Sequence, residues 1–278
     1  MNIPKSSFPR IVIIGGGFAG ISLAKKLSKQ EVQVVLLDKN NYHTFQPLLY
    51  QVSTGGLEPD SIAYPIRKIL KDFPNFHFRM ADVHEINAVK NEVLTDIGML
   101  KFDYLVVASG SETNYFGNTE IEKHSMAMKS IPESLNLRSL ILENFEDALL
   151  TSDLNERNAL MNFVIVGAGP TGVELAGALA EIKKGILPKD YPDLDTRMVQ
   201  INLIQSSDRI LKEMSETASK KAEDFLEHLG VNIWKNVRVA SFDGKIATTN
   251  SDFTFETATL IWAAGVQGAT IKGMDRHE

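Results

Sequence analysis

The chain is 278 residues long, 44% hydrophobic and 23% charged, with 29 lysines and arginines against 35 acidic residues and no cysteine. At roughly 100–200 residues per domain, that length accommodates about two domains with cores of their own. A net charge of −6 argues against a general basic surface for nucleic acid. The lack of cysteine excludes a disulfide framework, a thiolate metal site and dithiol redox chemistry, so any electron traffic requires a bound cofactor.

Near the N-terminus, the apolar run Ile11–Ile14 breaks at three glycines and does not read as a signal peptide. No stretch reaches the roughly 18 apolar residues of a membrane span, and the expectation is a cytoplasmic chain. Ile11–Ile14 reads instead as a short buried parallel strand. From Phe18 to Lys29 the apolar positions Ile21, Ala24 and Leu27 share one helical face, and Val32–Asp38 is a second buried strand. The opening is thus a βαβ unit. Pro132–Leu150 reads as an amphipathic linker helix. Asn162–Val166 is then a strand and Pro170–Lys184 a helix, with proline where a missing N–H costs nothing. Gln200–Gln205 is the next strand, and a helix over Ser215–Leu229 stops at Gly230. Val231–Ala263, broken at Asp243-Gly244 and Asn250-Ser251, is expected to form a small antiparallel sheet.

These elements repeat. RIVIIGGGFAGISLAKKL at 10–27 matches NFVIVGAGPTGVELAGAL at 162–179, and Gly15, Gly17 and Gly20 recur as Gly167, Gly169 and Gly172, 152 residues on. YLVVASG at 104–110 matches TLIWAAG at 259–265 in the same order. The expected fold class is α/β, with two Rossmann-like dinucleotide-binding domains.

In a G-x-G-x-x-G turn the first glycine permits the bend and the second lets a pyrophosphate approach the backbone. The third packs helix on strand, and the helix N-terminus stabilises the anion. Asp38 follows Gly20 by 18 residues, the place of a carboxylate that accepts both hydroxyls of an adenosine ribose. In the second copy that place falls to Gln205, 33 residues past Gly172, the extra length lying in KKGILPKDYPDLD. Glutamine does not repel a 2′-phosphate, and Arg209 lies four residues on. NADH stays ahead of NADPH, and NADPH remains open. Two sites in one chain imply one tightly held flavin and one exchangeable nicotinamide nucleotide, with hydride chemistry belonging to the cofactors.

NNYHTFQPLLYQVSTGGLEPDSI at 40–62, VVASGSETNYFG, GAGPTGVELAGALAE and LIWAAGV together resemble type II NADH:quinone dehydrogenases, single-subunit FAD enzymes of the respiratory chain that do not pump protons. The resemblance covers essentially the whole chain. It implies that NADH reduces FAD, which then passes two electrons to a membrane quinone. It implies that Gly15, Gly17, Phe18, Ala19 and Gly20 hold the FAD pyrophosphate, with Asp38 on the ribose and Lys39 and the Val83 backbone at the adenine. It runs the loop His43–Leu48 along the flavin, with Gln46 and Pro47 nearest the ring, and brings Ser109 and Gly110 past the pyrophosphate. For the nicotinamide nucleotide it implies Gly167, Gly169, Pro170, Thr171, Gly172, Gln205, Ala264 and Gly265, with Glu174 as the catalytic group.

Plainer roles stand beside these. Glu174, read as lying in the first turn of its helix, stabilises the dipole with or without a ligand. A loop histidine such as His43 is more often a local hydrogen-bonding residue than a flavin-facing group. Phe45, Leu48, Leu49 and Tyr50 read as core in preference to a quinone pocket. Histidines 77, 84, 124, 228 and 277 make no metal-ligand pattern, so no metal is expected. Nor does any nucleophile–base constellation emerge, and hydride transfer needs none. Without cysteine, the disulfide reductases and sulfide:quinone reductases that share this architecture are excluded. Two other readings stay open: a soluble NAD(P)H reductase of a ferredoxin-type acceptor, and a non-catalytic NAD(P)H-sensing module.

The expected domains are 1–116 for FAD, an inserted nicotinamide-nucleotide domain at 117–257 with its linker helix near 132–150, and a return at 258–278. In the family WAAGV precedes a longer return, whereas this sequence stops thirteen residues after Gly265. The expectation is a piece of a longer enzyme, with the quinone site and a membrane-anchoring helix beyond it and an apolar face of the FAD domain uncovered. The whole protein would sit peripherally on the cytoplasmic face of the inner membrane, possible homodimers included.

Overall fold

A computed structural model describes residues 1–251 and 253–274. The chain divides into two compact units. Of the described residues, unit 1 comprises 1–45, 60–112 and 267–274, and unit 2 comprises 46–59, 113–251 and 253–266.

Unit 1 opens with β1 (Arg10–Ile14), α1 (Phe18–Leu27) and β2 (Gln33–Asp38). It continues with β3 (Phe76–Met80), β4 (Val83–Asn87), β5 (Glu92–Thr95), β6 (Gly98–Lys101) and β7 (Tyr104–Val107). A parallel sheet runs in the order β3-β2-β1-β7, with Ile13 level with Leu36 on one side and Val106 on the other. Alternate residues of its central strands feed different cores, because strand side chains point to opposite faces. Ile13, Val34 and Leu36 pack with Ile21 and Ala24 of α1, whereas Val12, Ile14, Val35 and Leu37 pack with Ile86, Val93 and Leu100. Those last three belong to an antiparallel meander, β4-β5-β6; a strand was expected at MADVHEI, which overlaps β4, but not its pairing with β5 and β6. Its turns are made by left-handed Asn91 and Gly98 (φ 53° and 112°), which give no apolar period to read.

Unit 2 repeats the plan. It contains α2 (Ile131–Leu150), β8 (Asn162–Val166), α3 (Pro170–Gly185), β9 (Gln200–Gln205) and α4 (Glu216–His228). Then follow β10 (Asn232–Lys235), β11 (Val239–Phe242), β12 (Ile246–Thr249), β13 (Thr254–Glu256) and β14 (Thr259–Trp262). Its parallel sheet runs β10-β9-β8-β14, the order of unit 1. Ser130 starts α2 by accepting the Glu133 N–H, and Ser215 starts α4 by accepting the Ala218 N–H. Gly230, at φ 87°, ends α4.

The single antiparallel sheet expected over Val231–Ala263 is corrected. Only β11, β12 and β13 form it, while β10 and β14 join the parallel sheet on either side. All four residues of β14 are buried, as a strand covered on both faces requires. The turn at Asp243-Gly244 is as read: Asp243 Oδ1 accepts the N–H groups of Lys245 and Ile246, and Gly244 takes φ 96°. Because β14 is bonded to β8, the division between units falls at 266/267, where the sequence reading had put 257/258.

Candidate functional site

The two glycine turns have the same geometry. Gly15 and Gly167 take φ 106° and 103°, values that L side chains rarely adopt. A Cβ on Gly15 would lie 2.2 Å from the Ala108 carbonyl oxygen, and one on Gly167 would lie 2.6 Å from that of Ala263. A Cβ on Gly20 or Gly172 would lie 1.9 Å from the carbonyl oxygen of Gly15 or Gly167, so the third glycine lets helix and strand touch. The middle glycines differ in kind. A Cβ on Gly17 or Gly169 meets nothing within 4 Å. These residues are the extended N-caps of α1 and α3, make no side-chain cap, and precede first turns without an acidic residue. Each helix thus presents unneutralised N–H groups to an open cradle that a side chain at the N-cap would fill, which suits a pyrophosphate.

The strand-end residues are anchored alike. Asp38 Oδ2 accepts the Gly16 N–H at 2.6 Å and Oδ1 accepts the Asn40 N–H at 2.7 Å. Gln205 Oε1 accepts the Ala168 N–H at 3.0 Å, and Ala168 is the repeat partner of Gly16. Gln205 Nε2 donates to Ser207 Oγ at 2.6 Å, and that hydroxyl donates to the Arg209 carbonyl. Arg209 donates two of its five guanidinium N–H groups to the carbonyls of Met214 and Lys212 (3.1 and 2.7 Å). Sequence reasoning missed these anchoring bonds; the common signal is an acceptor side chain closing each second strand.

Around the first turn, the Ala81 N–H donates to the Asp38 carbonyl, so Val83 starts β4 beside that strand end. Ser109 Oγ donates to the Ala269 carbonyl, its backbone nitrogen abuts Gly15, and Gly110 takes φ 76° with open space at its missing Cβ. His43 Nδ1 lies 2.9 Å from the Gly16 carbonyl oxygen, and its ring meets Phe18 edge-on at 5.0 Å. Phe45 packs edge-on against Phe18 at 5.6 Å. Phe18, Ala19 and Lys39 are exposed. Phe18, His43, Tyr64, Lys25 and Lys68 line an open cleft of about 600 Å³ in unit 1.

Gln46 and Pro47 are exposed and open the stretch that groups with unit 2. Of the four residues read as core, only Leu49 is buried. Leu48 and Tyr50 are half-buried, and Phe45 is exposed. Leu49 starts the short helix Leu49–Ser53, which packs on α2 and buries Leu49, Val52 and Ser53.

In unit 2, the Ala263–Ala264 turn abuts Gly167, and Gly265 lies under the ring of Phe116, a residue the sequence reading did not single out. Pro170 and Thr171 are exposed in the first turn of α3. Glu174 is the fifth residue of α3, one past the first turn in which it was expected, so it does not cap the dipole. Its side chain is open to solvent on one side. Partial burial on the other pushes its carboxyl above the usual range. The structure therefore brings together Gly15–Gly20, Asp38, His43 and Ser109 in one unit, and Gly167–Gly172, Gln205 and Ala264 in the other.

Among the described residues, no group of three or more His, Asp or Glu side chains could hold a metal; His277 lies outside them. No described helix is long and apolar enough to cross a membrane.

Comparison with known proteins gives a consistent picture. The sequence pattern of the family described as "Pyridine nucleotide-disulphide oxidoreductase" matches residues 9–275. The chain is 36% identical over 277 residues to the type II NADH:quinone oxidoreductase Ndh of Mycobacterium tuberculosis, covering 97% of itself and 60% of that protein. It is 31% identical to a mitochondrial external alternative NAD(P)H-ubiquinone oxidoreductase B1 of Solanum tuberosum, covering 95% of itself and 49% of the relative. The solved structure of NDH2 from Plasmodium falciparum in complex with NADH superposes with a TM-score of 0.88 at 24% identity, over 94% of this chain and 56% of that one. The chain spans about half to three fifths of the length of these proteins.

Proposed function

This chain belongs to the pyridine nucleotide-disulphide oxidoreductase family, and from that premise we propose that it is the two-nucleotide part of an NADH:quinone oxidoreductase. The proposed reaction takes hydride from NADH to FAD and electrons on to a membrane quinone, without proton pumping. One observation carries the reading: a single chain holds two glycine turns of one geometry, each opening an uncapped helix N-terminus onto free space.

FAD, when bound, supplies the hydride acceptor and a two-electron carrier. The chain supplies the binding surfaces. In unit 1, Gly15, Gly17, Phe18, Ala19 and Gly20 would seat the FAD pyrophosphate on α1. Asp38 Oδ2 has one partner in the glycine turn and Oδ1 one in the chain just after the strand, so each oxygen keeps a lone pair for the ribose hydroxyls. Lys39 and the Val83 backbone would flank the adenine, Ser109 and Gly110 would line the pyrophosphate, and His43 would hold the turn through Gly16. Gln46 and Pro47 remain assigned to the flavin side. In unit 2, Gly167, Gly169, Pro170, Thr171 and Gly172 would seat the NADH pyrophosphate on α3, with Gln205 at the adenosine ribose and Ala264 and Gly265 at the nicotinamide half. Glu174 would hold a proton near the nicotinamide, a role that its raised carboxyl supports. NADH stays ahead as the donor, while uncharged Gln205, which does not repel a 2′-phosphate, leaves NADPH tolerated.

The quinone site, peripheral membrane attachment on the cytoplasmic face and dimerisation are proposed for the whole protein and assigned to no residue here. The test is spectroscopic. The whole protein is expected to be yellow, anaerobic NADH to bleach its flavin band, and a soluble quinone to restore it. Restoration by a ferredoxin-type acceptor but not by quinone would replace the acceptor. A colourless protein with full nucleotide affinity would make this a sensing module.

A further inference from the structure

We propose that the ring of Phe116 is the wall against which the nicotinamide end of the dinucleotide rests in unit 2, an inference that depends on the nucleotide reading of that unit. Phe116 sits in the NYFG turn at φ 52°, followed by Gly117 at φ 77°. The left-handed region is unusual for a bulky aromatic residue and persists only where the surroundings fix it. They do so here. Asn114 Oδ1 accepts the Phe116 N–H at 2.8 Å, and the Asn114 N–H donates to the Gly265 carbonyl at 3.1 Å. The Asn114 carbonyl accepts Trp262 Nε1–H at 2.8 Å, and the neighbouring Tyr115 stacks on the same indole at 6.0 Å.

This bracing does not serve burial. Phe116 remains 68% exposed, its ring centroid 6.5 Å from that of Trp262 in an edge-on arrangement and its tip over Gly265. A Cβ on Gly265 would lie 2.7 Å from Phe116 Cζ, so a side chain there would push the tip of the ring aside. An apolar ring held in a strained conformation against the backbone yet left in water is a surface prepared for a flat partner.

Strand order says which partner. In a parallel sheet a dinucleotide lies across the C-terminal ends of the strands, with its pyrophosphate on the helix that follows the central one. Here that strand is β8, flanked by β9 and β14. Gln205 ends β9 and is tied to the glycine turn, so the adenosine half runs to that side. The other half must cross the end of β14, where Ala264 abuts Gly167 and Phe116 covers Gly265. The ligand half at that place is the nicotinamide, and a cationic nicotinamide gains further from an aromatic face.

Calorimetric titration of the holoprotein with NAD⁺ and with ADP-ribose, which lacks the nicotinamide, tests this. Phe116→Ala is expected to weaken NAD⁺ about tenfold and to leave ADP-ribose within about twofold, whereas Phe116→Tyr stays within about twofold of the parent for both. Equal losses for both ligands in Phe116→Ala, an unchanged NAD⁺ affinity, or a Phe116→Tyr as weak as Phe116→Ala would each overturn the proposal. A parent protein that binds neither ligand would overturn the nucleotide reading of unit 2, and the proposal with it.

Discussion

The two units are the same device finished differently. Both order their parallel strands identically, and both place a positive-φ glycine, an open N-cap glycine and a buried third glycine at the turn. They part at the last strand. β14 is buried along its length, and its outer edge is taken by Met126, whose N–H donates to the Leu260 carbonyl and whose carbonyl accepts the Trp262 N–H, both at 2.8 Å. Asn144 donates to the Thr259 hydroxyl at 2.6 Å from α2. β7, its repeat partner, lies at the edge of its sheet, with Tyr104 62% exposed and its other residues half-buried. The lesson is that the turn geometry transfers between copies because backbone clashes dictate it. Edge cover and strand-end chemistry do not transfer, because each depends on side chains that the repeat leaves free.

The largest effects should come from the glycines that clash. Gly20→Ala and Gly172→Ala each force a Cβ to within 1.9 Å of a carbonyl oxygen. Each should cost about 3 kcal/mol of stability in urea unfolding, as overpacking of a rigid contact does. A large cost for one and none for the other would break the equivalence of the turns. Next come the glycines that do not clash. Gly169→Val should leave the urea midpoint nearly unchanged while weakening NAD⁺ by about 100-fold, and Gly17→Val should yield protein without a flavin band. Retained stoichiometric FAD in Gly17→Val would show that the cradle of unit 1 serves another purpose.

A smaller effect sharpens the difference at the strand ends. Gln205→Glu puts a carboxylate where unit 1 has Asp38, and repulsion of a 2′-phosphate should raise the preference for NADH over NADPH about tenfold in paired titrations. An unchanged ratio would mean that the selecting residue lies elsewhere in the loop from Ser206 to Lys212.

How much of this was legible follows from the same physics. Strands β8 and β9 fall on the residues read from sequence: β8 is an apolar run from Phe163 to Val166, and β9 carries Ile201, Leu203 and Ile204 around a single buried Asn202. The helix after them is legible from Ser215 and Gly230, its chemical punctuation. β10 and β14 were misjudged because a β-branched run does not say whether its neighbours are parallel or antiparallel. Asn162, Asn202 and Asn232 had no spacing to betray them. Asn232 Nδ2 donates to Asn202 Oδ1 and Asn202 Nδ2 to Asn162 Oδ1, a polar line across three strands that exists only once the strands align. Phe116 was hidden differently, since a turn ending in Phe-Gly reads as punctuation until the ring is seen to rest on Gly265.

Glu174 has no counterpart in the first copy, where the matching position is Ser22, and it offers the finest test of the asymmetry. Partial burial favours its protonated form, so the folded carboxyl titrates above its ordinary value of 4.5. Folding then takes up a proton between the two values. The stability associated with this group is present in full below 4.5 and is lost as pH rises through the folded value. Glu174→Gln removes the charge and with it that loss. Parent and variant should melt together near pH 4, and the variant should melt higher at pH 7 by no more than about 2 °C, since the exposed side of the carboxyl keeps most of its hydration. Ser22→Gln, the same side chain at the matching position of unit 1, should show no pH-dependent difference from its parent. A gap in Glu174→Gln that stays constant from pH 4 to 7 would trace the change to packing and leave the carboxyl without its shift.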